Sequence, residues 1–217
     1  VLLAVSRFYA AQVRGVKHWT GANIALASGL VLLGLSQTAN DLSARVGGNT
    51  LLVLTAALYY LAIMRLLNEK PRARLAWATV VVSGLTFAML WATNGHYRLA
   101  VATLSVALIL LTGLSAARLL LPVSGERRVS HRFTGLLFLL GCILMAVRLV
   151  HILFSDRPPA HLFATDFWHG MILGGAHITV MLMSLGFALM IVDQLASELN
   201  RLATLDALTG IGNRRVF

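Results

Sequence analysis

The sequence predicts an all-α fold: a polytopic transmembrane helix bundle followed by a short signalling helix. Three observations predict it. The 217 residues are 58% hydrophobic and only 12% charged, whereas soluble domains carry about a quarter charged residues. Mean hydropathy is +0.80. The apolar residues fall in runs close to the roughly 20 residues a spanning helix needs, without the strict alternation of a membrane β-barrel strand.

Six full spans follow in order, over Thr20–Ala39, Asn49–Leu67, Leu75–Thr93, Leu99–Leu121, Phe133–Phe154 and Gly170–Val192. Val1–Val5 reads as the stump of a seventh, begun upstream. Turn formers punctuate the connections: Asn40-Asp41, Gly47-Gly48, Asn94-Gly95 and Pro158-Pro159. The spans contain no Asp, Glu or Pro. A transporter would pair intramembrane charges or break its helices near mid-membrane, so this pattern argues against one. The lone Cys142 allows no intrachain disulfide and no cysteine metal cluster.

The net charge of +10 sits in the short loops, which is the positive-inside pattern and not a nucleic-acid-binding face. One side of the predicted membrane holds Arg7, Arg14, Lys17, Arg65, Lys70, Arg72, Arg74, Arg118, Arg127, Arg128, Arg132, Arg201, Arg214 and Arg215. The other holds Arg45, Arg98 and Arg157, and Arg148 lies within a span. The bias predicts a multi-pass membrane protein with a cytoplasmic C-terminus.

After the last span no proline or glycine occurs until Gly210. Val192, Leu195, Leu199 and Leu202 repeat at a/d spacing over about one and a half heptads. One reading is a parallel coiled coil joining two protomers; the other is an amphipathic exit helix against lipid or its own bundle. The following residues, LDALTGIGNRRVF, favour the first. Asp206, Leu208, Thr209, Gly210, Asn213, Arg214 and Arg215 match the opening signature of GGDEF domains, D-x-L-T-G-L-x-N-R-R, with Ile211 where Leu is usual. The tail therefore resembles the start of a diguanylate cyclase domain. The resemblance implies condensation of two GTP molecules into cyclic di-GMP, with Mg2+, by two domains brought face to face. It implies no catalytic residue within this chain, because the family's metal-binding carboxylates and GG[DE]EF turn lie well downstream. The organisation it implies is a sensor bundle (1–192), a coiled-coil signalling helix (193–205) and the beginning of a GGDEF domain (206–217), in a homodimer. Asp206 is suited to cap the helix that follows.

Ionisable residues inside spans default to functional hypotheses. Arg148 and His151 share a face of the fifth span, and His177 lies about two turns into the last. His169, Trp168 and Asp166 stand at its mouth, and His96, Tyr97 and Trp91 near the outer end of another hairpin. Of the seven histidines, His18 and His131 alone fall on the cytoplasmic side. Two readings stay open. In one, Arg148, His151 and His177 line an outward pocket for a small molecule bearing carboxylate or phosphate, with no resident metal. In the other, Arg148 snorkels to headgroups while Trp168 and His169 anchor the interface. A haem or other redox centre between His151 and His177 is a further alternative, as is a ligand-independent membrane anchor. The MHYT sensor motif is absent. Gly170 and Gly174 form a G-x-x-x-G pair, expected to pack within the bundle in preference to a dimer contact.

Overall fold

The computed structural model describes residues 14–39, 42–93, 97–121, 128–155 and 167–204. These form six helices: α1 (Val16–Ala39), α2 (Leu42–Leu66), α3 (Ala73–Ala92), α4 (Tyr97–Leu120), α5 (Val129–Phe154) and α6 (Phe167–Thr204). Each is long and apolar enough to cross a membrane, and the protein is a multi-pass membrane protein. A helix satisfies its own backbone within hydrocarbon. The polar side chains inside the spans follow the same logic. The hydroxyls of Thr50, Thr55, Thr112, Ser115, Thr134 and Thr179 all donate to the carbonyl four residues back, at 2.7–2.9 Å. The predicted stump Val1–Val5 and the motif 205–217 lie outside the described residues.

Consecutive helices run antiparallel, as their facing residues show: Gly29 against Gly48, Thr50 against Gly84, Gly113 against Cys142, and Thr134 against Gly186. All six loop-proximal ends that carry the Lys/Arg excess therefore gather at one end of the bundle, called here the basic end. At the other end Arg98 closes α5: its Nε donates to the Ile152 carbonyl at 3.0 Å and its Nη2 to that of Ser155 at 2.6 Å. The Arg45 guanidinium lies 5.0 Å from the centre of the Trp91 ring.

Helix α2 is the axis of the bundle. Tyr59 through Met64 are six consecutive buried residues, so it is enclosed on every side. It contributes to two packing cores. One joins it to α3 and α4 through Val53, Tyr60, Met64, Val80, Phe87, Leu104 and Leu111. The other joins it to α1, α4, α5 and α6 around Trp19. There Trp19 stacks on Phe187 with centroids 4.0 Å apart and planes at 6°, while Tyr59 and Phe138 close the cluster at 4.3 and 6.4 Å. Tyr59, Tyr60 and Met183 are buried, whereas Met181 is 74% exposed.

Two expectations are corrected. Gly47-Gly48 does not turn; both residues lie inside α2, which begins seven residues before the predicted Asn49. Their role is close approach. A Cβ at Gly48 would stand 2.7 Å from Leu33 Cγ and 3.0 Å from the Gly29 carbonyl oxygen. Lipid tails supply no hydrophobic drive between helices, so such contact is what holds α1 on α2. Conversely, Gly170 and Gly174 do not pack within the bundle: nothing lies within 4 Å of a Cβ added at either.

Helix α6 continues past the last span, where the sequence has no proline or glycine. The predicted span and signalling segment form one uninterrupted helix of 38 residues. At 1.5 Å per residue it is about 57 Å long, nearly twice the roughly 30 Å hydrocarbon core.

Candidate functional site

Arg148 is 3% exposed and is the buried charged residue among the described ones. It reaches that position because α5 packs along α4, and the register set by Arg98–Ile152 and Ile109–Cys142 places it opposite the outer half of α4. Tyr97, in the first turn of α4, is its electrostatic neighbour. The Nε and Nη2 of Arg148 and the Ser105 hydroxyl have no hydrogen-bond partner among the described residues. Tyr97 and Ser105 are eight residues apart, two turns along one face of α4. That register puts Ser105 within about a turn of Arg148's depth.

This grouping has a chemical consequence. A buried guanidinium offers five donors and no acceptor, and leaving its donors unpaired costs several kcal/mol. Two hydroxyls can accept from it, yet neither carries a charge. The group that complements the set is an anion with several acceptor oxygens, such as a carboxylate or a phosphate.

The structure brings only part of the predicted pocket together. His151 is half-buried one turn beyond Arg148 on α5. His177 is exposed on α6, and its Nδ1 donates to the Leu173 carbonyl at 2.8 Å. The α5–α6 register, with Gly141 against Thr179 and Leu144 against Gly175, sets His177 about 9 Å deeper than Arg148 along the bundle. Trp168 is 63% exposed and packs edge-on against Phe167 with centroids 5.6 Å apart. His169 falls on α6 with its side chain outside the described part, and Asp166 lies outside the described residues. Among those residues no three His, Cys, Asp or Glu side chains are grouped to hold a metal ion.

Tyr97 was legible only as an aromatic near a helix end. Its pairing with Arg148 depends on the register between α4 and α5, which neither helix encodes alone. Ser105 had no signal at all.

The a/d seam is uncovered. Val192 is 59% exposed, Leu195 36% and Leu199 67%, while Leu202 lies on α6 with its side chain outside the described part. The seam does not lie against its own bundle. The basic end meets α6 just below it, where an Arg128 guanidinium nitrogen donates to the Asp193 carbonyl.

No family model matches the chain, and neither does any curated protein or solved structure.

Proposed function

We propose that this protein is a homodimeric membrane sensory module that regulates a C-terminal diguanylate cyclase. The observation that carries the reading is α6: one unbroken 38-residue helix whose Val192, Leu195 and Leu199 are bare in the single chain. A helix that leaves the bundle with an unpartnered leucine seam is built to meet a second copy of itself. The Leu205–Phe217 motif then follows directly on that helix. Its resemblance to the opening of GGDEF domains supplies the output: two GTP-bound domains held at high effective concentration by the stalk. GTP and Mg2+ belong to that domain. The Lys/Arg bias supports a cytoplasmic C-terminus, and the GGDEF resemblance a bacterial inner membrane.

The input end in this reading is the Arg148 group. A small anion bound by Arg148 with Tyr97 and Ser105 would draw α4 and α5 together. Because α5 packs along α6 from Arg128 to Leu144, that movement shifts the base of the seam. Coupling follows when ligand contacts differ between two arrangements of these helices.

The test is an insertion series in the full gene product. One to seven alanines are inserted after Leu199 and cyclic di-GMP formation from GTP is measured in membranes. Output returns at seven residues, a full heptad, and falls at three and four, which rotate the domains away. Absence of cyclic di-GMP from every form, the parent included, rejects the cyclase; output independent of insertion length supports the plain anchor instead.

A further inference from the structure

The basic end contains a cleft of about 480 Å³ walled by Arg14, Lys17, His18, Arg65, Glu69 and Lys70. That volume is within the range of small-molecule sites. Local folding makes it rigid. Helix α2 ends in a left-handed cap at Asn68 (φ 56°), with the Glu69 N–H returning to the Met64 carbonyl at 2.9 Å. The loop is then tied down by the Arg72 N–H, which donates to the Tyr60 hydroxyl at 3.1 Å. Across from it, Gly15 (φ 93°) presses the start of α1 onto α2. A Cβ there would stand 2.4 Å from the Ala62 carbonyl oxygen, so only glycine brings the two walls this close.

The charge within the cleft is lopsided. Glu69, the one carboxylate among the described residues that wall it, lies 3.8 Å from Arg118 on α4. Arg14 donates to the Asn68 side-chain oxygen, and Arg65 Nη1 contacts His18 Nδ1 at 3.4 Å; Arg14, Lys17, Arg65 and Lys70 make no ion pair among the described residues. Four cations are thus held around one cavity whose carboxylate is committed elsewhere. Simple topology does not require this, since scattered loop charges satisfy the positive-inside rule equally well. The cleft also sits at the basic ends of α1 and α2, beside the ends of their apolar stretches Val16–Ser36 and Ser43–Leu66.

We propose that this cleft binds a phosphate-bearing anion, either the headgroup of an anionic phospholipid or a soluble phosphate compound. Two guanidinium groups supply planar forks for phosphate oxygens and two ammonium groups supply point charges. Occupancy would pin the start of α1 to the α2–α3 loop. The proposal is independent of the output domain and of the Arg148 end.

The test uses purified protein in neutral phosphatidylcholine nanodiscs and reads the thermal midpoint, which rises when a ligand binds the folded state. One arm raises the mole fraction of phosphatidylglycerol; the other adds inorganic phosphate against sodium chloride of equal ionic strength. Wild type is expected to rise in at least one arm, the lipid arm identifying a headgroup and the phosphate arm a soluble ligand. In Arg14→Gln/Arg65→Gln the concentration giving half the effect should increase about 10- to 30-fold. The matched control Arg74→Gln/Arg132→Gln removes two exposed cations of the same end outside the cleft and should change it less than about 3-fold. Lys17→Gln/Lys70→Gln, a change at two exposed side chains, serves if the arginine variant does not fold. Absence of a rise in both arms overturns the proposal, and so does an equal loss in cleft and control variants.

Discussion

The indole of Trp19 lies flat on the ring of Phe187, 4.0 Å away, and so joins the first described helix to the last. Helix α6 otherwise packs chiefly along α5. Trp19 is 1% exposed and also touches Tyr59 and Phe138, so four helices share one aromatic cluster. Trp19→Ala should cost about 3–5 kcal/mol, the range for truncating a large buried aromatic. Phe187→Leu should cost about 1–2 kcal/mol, since it keeps most of the volume. Unfolding in graded detergent mixtures measures both; equal, negligible losses would mean that the cluster does not hold α6.

Close helix approach gives a second prediction. Gly48→Ala places a methyl 2.7 Å from Leu33 Cγ, and Gly186→Ala one 2.5 Å from the Thr134 hydroxyl. Each should destabilise by about 1–3 kcal/mol as the helices separate. Gly174→Ala meets nothing within 4 Å and should leave the stability of the single chain within about 0.5 kcal/mol. Thermal midpoints in one detergent compare the three.

Arg98 gives a third. It stands among the few cations away from the basic end, and its guanidinium closes the α5 terminus on the Ile152 and Ser155 carbonyls. Arg98→Gln removes charge and fork together and should lower stability by about 1 kcal/mol, given its exposure. Arg98→Lys should recover little, because an ammonium cannot span both carbonyls. Hydrogen exchange at the α5 C-terminus would show the fraying directly.

On the proposed function, a variant of Arg148 would separate stability from signalling. A buried guanidinium with unpaired donors burdens the fold, and an apolar residue of similar length relieves it. Arg148→Met should therefore keep or raise the thermal midpoint while abolishing the response of cyclic di-GMP output to stimulus. Loss of stability together with an intact response would make the arginine a structural element.

How much of this was legible follows from what each feature depends on. Hydropathy runs depend on local composition alone, so all six spans were found, with Leu42 and Val16 earlier than expected because amphipathic turns extend helices past the apolar run. Gly47-Gly48 misled because the same residues that permit turns also permit close packing, and only the facing Gly29 and Leu33 on α1 decide between them. Arg148 was recognisable as an unusual charge, but its neighbours were not. His177 is exposed and lies about 9 Å deeper than Arg148, whereas Tyr97 is brought in by interhelical register. The cleft cations were visible only as topology signals; that Arg14 and Arg65, far apart in sequence, wall one cavity depends on Gly15 meeting Ala62.

The central claim is that α6 pairs with α6 of a second copy, and cysteine cross-linking in native membranes tests it most directly. With Cys142→Ser as background, single cysteines replace each residue from Val192 to Asn200 in turn. The account predicts disulfide-linked dimers peaking at Val192, Leu195 and Leu199, with low yields at Ser197 and Asn200. A flat profile, or no dimer at any position, would contradict it.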